Sequence, residues 1–240
     1  MFQFPDAALM IYPSLFFKHL KARRALAGYP LYDVPNKQAE ETLDEARVQE
    51  NFDYFMKVRL DRLGFFRKWL ADWFGRTASL NGDGVLALNA WVNAYGGGLI
   101  GDQFDCATKF ESYQPAWVGE YVGYNVMVDI GIFLGEYLIA KRPKLHWEIY
   151  RGHLDEDGEF SGPNLKRPHL GGFPRGWKND MFGQGYGVVA TARAMSHIGH
   201  EPLVGDPDNM IKHCKSSLYL ANVPDDGEPF VFGDYSNEPI

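Results

Sequence analysis

Asp129 and Glu136 stand seven residues apart inside an apolar run, DIGIFLGEYLIAK, and Asn125 lies four residues before Asp129. Helical rotation is 100° per residue, so these spacings amount to about 400° and 700° and place all three side chains in one angular sector. Two carboxylates in a partly buried groove could do acid/base work, one of them with a raised pKa, or hold a cation. The same polar line could instead face solvent, or pair with Arg59, Arg62 or Arg67 of the N-terminal half. Amphipathicity is the plainer account of the line, and a site is the sharper one.

Histidines supply the remaining candidates. His146 and His169 could join the two acids after folding, although alternation turns His146 outward and His169 sits between Pro168 and Leu170. His197 and His200 lie three residues apart, a spacing that presents two nitrogens to one metal ion on a helix. Gly199 interrupts them, and histidine near a helix C-terminus is favoured by the dipole alone, so the chain is expected to hold neither metal nor cofactor. YGGGLIGD lacks the lysine of a phosphate-binding loop and puts Asp102 where an anion would sit; it reads as a helix stop. LNGDGVLAL lacks the alternating oxygen ligands of a calcium loop and reads as a turn. The chain contains no GxSxG and no HExxH, which removes the usual handles of the common hydrolases.

The charge of −7, from 31 acidic and 24 basic side chains, offers no general field for phosphate backbones. Nucleic acid is therefore not expected as a partner. The one basic run, Lys18, Lys21, Arg23 and Arg24, reads as a solvated helix face. Cys106 and Cys214 are the only cysteines and have no CxxC spacing, which fits a reducing cytoplasm. The most apolar stretch, Val118 to Ala140, contains Glu120, Asp129 and Glu136. Three acids are too costly in lipid, so this is expected to be the core helix of a soluble protein, with no membrane partner.

The elements that must position these residues follow from periodicity. A basic N-terminal helix is followed by YPLYDVPNK and then a run from Lys37 to Phe74 with a single glycine. Phe52, Phe55, Met56, Leu60, Leu63, Phe66, Leu70 and Trp73 recur there at threes and fours, which predicts one apolar helical stripe. The earlier KQAEETLDEARVQEN is expected to face solvent or to form a separate helix. SLNGDGV predicts a turn, LALNAWVNAY a helix closing on Gly96, Gly97 and Gly98, and Trp117 to Ala140 the central helix. Gly119, Gly123, Gly131 and Gly135 line up along that helix at multiples of four, which implies close approach of a neighbour. Leu145, Trp147 and Ile149 then alternate with His146, Glu148 and Tyr150, predicting a half-buried strand, with HLDEDGEF as a hairpin tip. Helices are expected over Gly185–Ile198 and Asp208–Ala221, and a short strand over Pro229–Phe232.

The fold class predicted is α+β, predominantly helical, as a single domain over 1–240. A helical layer over 1–114 would pack on a smaller mixed part, 115–240, with a short antiparallel sheet. IGIFLGEYLIAKRPKLHWEIYRG resembles uncharacterised bacterial domain-of-unknown-function families in which a GxxxGE helix precedes a Trp-containing strand. The matching positions are Gly131, Gly135, Glu136 and Trp147, with Pro168 or Pro174 before the helix around Val188; the resemblance is confined to residues 115–200. It transfers no activity, but some such families are encoded near toxins and secretion genes, which implies partner binding. Two functions stay open: a noncatalytic protein-binding protein of immunity or accessory type, and an enzyme of unrecognised, hydrolase-like class using Asp129 and Glu136 with His146 or His169.

Overall fold

In the computed structural model, residues 13–100, 110, 116–150, 153–154, 160–161, 166–196, 205–224 and 233–240 are described. Helix α1 (Pro13–Ala25) leads into the extended segment 29–35, which crosses to α2 (Glu45–Phe74). Asp44 starts α2 by accepting a hydrogen bond from the Arg47 backbone N–H, and Gly75 ends it in the left-handed conformation at φ 61°. Phe55, Leu63, Phe66 and Leu70 form its buried face, joined by Val48, Trp69 and the polar Asn51 and Arg62. Leu60 and Trp73 were expected on that face but are 55% and 43% exposed. Leu60 lies about 140° around the helix from Phe55, so the true stripe is narrower than the hydrophobic count implied. The polar stretch before α2 is only partly solvated, because Glu40–Thr42 forms a 3-10 turn that buries Glu40 and Leu43.

Helix α3 (Gly82–Tyr95) begins inside the stretch predicted as a turn. The Asn81 side chain accepts from the Gly84 N–H at 3.0 Å, so it caps a helix whose first turn contains both glycines. The helix stops at the 3-10 turn Gly96–Gly98, as the three glycines predicted. The central helix, α4 (Gly123–Lys141), starts later than predicted: Gly119–Tyr121 is a separate 3-10 turn, and Gly119 has φ 59°, a conformation that favours glycine. Gly119 therefore serves the turn, and the packing stripe is Gly123, Gly131 and Gly135.

Strand β1 (His146–Ile149) pairs antiparallel with β4 (Pro168–Gly171), and β2 (His153–Leu154) pairs with β3 (Phe160–Ser161) across the predicted hairpin. Helix α5 (Met181–Met195) begins four residues before Gly185, because Asp180 caps it by accepting from the Gly183 N–H at 2.9 Å. Helix α6 (Asn209–Leu220) completes the order. The strand predicted at Pro229–Phe232 lies outside the described residues. The described residues form an α+β, predominantly helical fold with short antiparallel strand pairs.

One connected apolar core draws on all six helices and on Trp147 and Leu170 of the β1–β4 ribbon. Helix α4 lies at its centre and packs on α2, α5 and α6. Gly119–Lys141 is long and apolar enough to cross a membrane, yet 83% of its most apolar window is buried inside the fold. Two glycines bring α4 onto α5: a Cβ on Gly131 would lie 2.4 Å from the Met181 carbonyl, and one on Gly185 2.0 Å from the Met127 carbonyl. Gly135 admits the Trp147 ring, which a Cβ would meet at 2.2 Å. Burying an indole of roughly 200 Å² is worth about 5 kcal/mol at 25 cal/mol/Å², well above the ~1 kcal/mol that glycine costs a helix interior. The glycine line is therefore stabilising in its tertiary setting.

Candidate functional site

Helix α4 carries its polar line inward. Asp129 is 0% exposed and accepts three hydrogen bonds: from Arg62 Nε at 2.7 Å, from Arg62 Nη2 at 2.8 Å and from the Tyr29 hydroxyl at 2.7 Å. Arg62 reaches it from α2 and also donates to the Leu31 carbonyl at 2.9 Å. Asn125, one turn earlier, accepts from the Tyr32 backbone N–H at 2.6 Å and donates to the Trp117 and Val122 carbonyls, both at 2.9 Å. The line thus stitches α4 and α2 to the segment 29–32.

Burial raises the pKa of Asp129, while the Arg62 guanidinium and the Tyr29 hydroxyl pull against that rise. For Arg62 burial works against the charge and Asp129 overrides it, so its pKa is raised. The two-pronged geometry leaves a cation facing an anion. An internal ion pair with its hydrogen bonds satisfied holds no proton in reach of a substrate.

Glu136 is engaged in the same way two turns later. Its Oε1 accepts from Arg59 Nε at 3.0 Å and from the Trp147 indole N–H at 2.9 Å. Gly135 and Glu136 thus act as one receptor for Trp147, the glycine admitting the ring and the carboxylate taking its donor. This gives the GxxxGE helix and the Trp strand a common physical reason: Gly131 seats α5 and Gly135–Glu136 seats the strand.

The candidate histidines go elsewhere. Strand alternation puts Trp147 toward α4 and His146 on the other face, where His146 is exposed and lies 3.5 Å from Glu148. His169, opposite Glu148 in the ribbon, is buried against the Tyr150 ring with Nδ1 2.9 Å from the Arg167 carbonyl. Burial pushes its pKa down, against the pull of Asp180. The polar partners of Asp129 and Glu136 are thus Tyr29, Arg59, Arg62 and Trp147, and neither histidine joins either acid. His197 and His200 lie outside the described residues. His213 is half-buried, its Nε2 enclosed with no hydrogen-bond partner among the described residues, and burial pushes the Cys214 thiol up to about 12. Among the described residues no group of three or more His, Cys, Asp or Glu side chains could hold a metal ion.

Two clusters escaped the sequence. Arg167, 4% exposed, donates to both Asp180 oxygens, through Nε at 3.1 Å and Nη2 more closely, and lies 3.8 Å from Glu40. Burial works against the Asp180 charge, but Arg167 holds its carboxyl below the usual range. An acid just before MFGQG was the available signal, as a helix cap; its arginine partner, thirteen residues back, had none. At the triglycine turn, α1 and α5 approach from two sides. A Cβ on Gly97 would lie 2.4 Å from Ser196 Oγ and 3.0 Å from His19 Nε2, and Arg193 donates to the Gly97 carbonyl at 3.2 Å.

A cleft of about 230 Å³ opens between residues 31–37 and 116–118, over Tyr32, Trp117 and Asn125. The Asn125 amide at its base is committed to the backbone, and Asp33 pairs with Lys37 at its lip. Asp129 and Glu136 do not line it. No protein-family model matches the chain, and no curated protein or solved structure matches it.

Proposed function

We propose that this chain is a noncatalytic, cytoplasmic protein-binding protein of accessory or immunity type, docking a basic partner on the acidic half of α2. The observation that carries this reading is a set of exposed acids without a cationic partner among the described residues, although Glu50 accepts from the Asn36 amide and Asp53 from the Gln49 amide. Glu41, Glu50 and Asp53 are exposed around the first half of α2 and make no ion pair among the described residues. Helix-dipole compensation accounts for acids in a first turn only, so Glu50 and Asp53 need another reason. Complementary charge of this kind speeds encounter and sets partner choice. The inward pairing of Asp129 and Glu136 takes away the main support for an enzyme, and the buried free thiol of Cys214 is compatible with a reducing compartment.

The test is comparative capture from the source cell with the wild-type chain and the triple variant Glu41→Lys, Glu50→Lys, Asp53→Lys. A basic protein held by the wild type, released by salt and lost by the variant at unchanged thermal stability is the expected result. An identical set of captured proteins for both chains would overturn the reading.

A further inference from the structure

Helix α1 carries a second charged face without ion-pair partners among the described residues, of opposite sign and independent of the acidic half of α2. Ser14, Lys18, Lys21 and Arg24 follow one another at threes and fours along the exposed side, with Phe17 and Arg23 exposed beside them. None of the four cations makes an ion pair among the described residues. The dipole favours Arg23 and Arg24 in the last turn; Lys18 and Lys21 lie outside its reach. Phe17 projects beside the middle of this row at 63% exposure.

Contacts place the row beside the C-terminal end of α2. Trp69 Nε1 donates to the Ala25 carbonyl at 2.8 Å, and Lys21 Nζ sits 5.5 Å from the centroid of the Phe74 ring. Trp73, next to Phe74, is 43% exposed at that same end. Glu50 lies roughly 35 Å away along the helix at 1.5 Å per residue. That is several Debye lengths at physiological salt, about 8 Å each, so the acidic half does not cancel the basic end.

From this geometry we infer that α1 docks the protein peripherally on an anionic lipid bilayer, with Phe17 and Trp73 at headgroup depth and Lys18, Lys21, Arg23 and Arg24 over the anionic headgroups. Basic side chains near an anionic leaflet supply attraction, and an exposed aromatic beside them sits at headgroup level. A row of side chains standing on one helix suits a plane better than a groove-seeking peptide. A nucleic-acid duplex would meet the same four cations but offers no apolar layer for Phe17 and Trp73. The expectation of no membrane contact came from the central helix, which is indeed a core element; the α1 face is a separate surface.

The test is cosedimentation of the full chain with vesicles of phosphatidylcholine alone and of phosphatidylcholine with phosphatidylglycerol, at low and high salt. Binding confined to the anionic vesicles and weakened by salt is expected. Each Lys or Arg near an anionic surface contributes about fivefold in affinity, so Lys18→Glu with Lys21→Glu should weaken binding at least ~25-fold. Phe17→Ser should weaken vesicle binding while leaving binding to soluble heparin unchanged. No pelleting with anionic vesicles at low salt overturns the inference, and so does equal loss of vesicle and heparin binding in the Phe17 variant, which would make the face a general polyanion site. Circular dichroism of each variant confirms the fold, and the charge reversal on α2 described above should leave vesicle binding intact.

Discussion

At the scale of single residues, Asp129 and Arg62 test whether the acids of α4 are structural. Removing one partner of a buried ion pair strands the other charge and typically costs 3–5 kcal/mol. Asp129→Asn should lose about that much in urea unfolding, a large part of the 5–15 kcal/mol available to a domain. Replacing both, Asp129→Leu with Arg62→Met, should restore most of the loss, because well-packed apolar substitutes for such pairs are often neutral or stabilising. If the single variant unfolds at the wild-type urea concentration, the clamp is not what holds the segment 29–32. Glu136 separates two terms. Glu136→Gln keeps an acceptor for the Trp147 indole, whereas Glu136→Ala leaves that donor buried and should cost about 1–3 kcal/mol.

At the scale of elements, the glycines of α4 and α5 are predicted to behave opposite to helix propensity. Alanine is favoured over glycine by about 1 kcal/mol in a helix interior. At Gly64, exposed on α2 with nothing within 4 Å of a built Cβ, the substitution to alanine should therefore raise Tm, by about 2–4 °C. At Gly131 or Gly185 the same change drives a methyl into a backbone carbonyl, at 2.4 and 2.0 Å, and the helices must separate. Overpacking of this kind costs about 1–3 kcal/mol or more, so both variants should melt lower. A Gly131→Ala protein as stable as wild type would show that α4 and α5 do not cross here.

Over the whole molecule, acid stability is governed by desolvated histidines before carboxylates. His19, against the triglycine turn, and His213, on α6, both have pKa values lowered to about 4, mainly by burial. Arg193 and Arg23 lower His19 further, and both stay cationic throughout the range. A histidine whose folded pKa lies below its unfolded value of about 6.5 takes up a proton on unfolding. Its contribution is therefore intact above pH 6.5 and drains as pH falls toward 4. Asp180, held low by Arg167 against burial, adds its loss only below its unfolded value near 4. Urea midpoints should decline from pH 6.5 to 4.5, and a His19→Asn, His213→Asn protein should show a flatter decline over that interval. Equal slopes for the two proteins would place the pH dependence elsewhere.

Local spacing alone determined the helical stripe from Phe52 to Leu70, the stop at Gly96–Gly98, the strand around Trp147 and the angular line of Asn125, Asp129 and Glu136, because periodicity and backbone preferences act within a few residues. It misplaced three helix starts where the deciding event was local but conformational. Asn81 and Asp180 capped helices through residues that read as loop, and Gly119 took a positive φ instead of joining α4. Which way the polar line faces was decided only by tertiary structure. A carboxylate on a helix reads the same whether its partner is water, a substrate or an arginine brought from 67 residues away, since that choice depends on what packs opposite. Sequence separation likewise hid the Arg167–Asp180–Glu40 cluster, and the basic run of α1, legible as a solvated face, met Phe74 of α2 only in the tertiary structure.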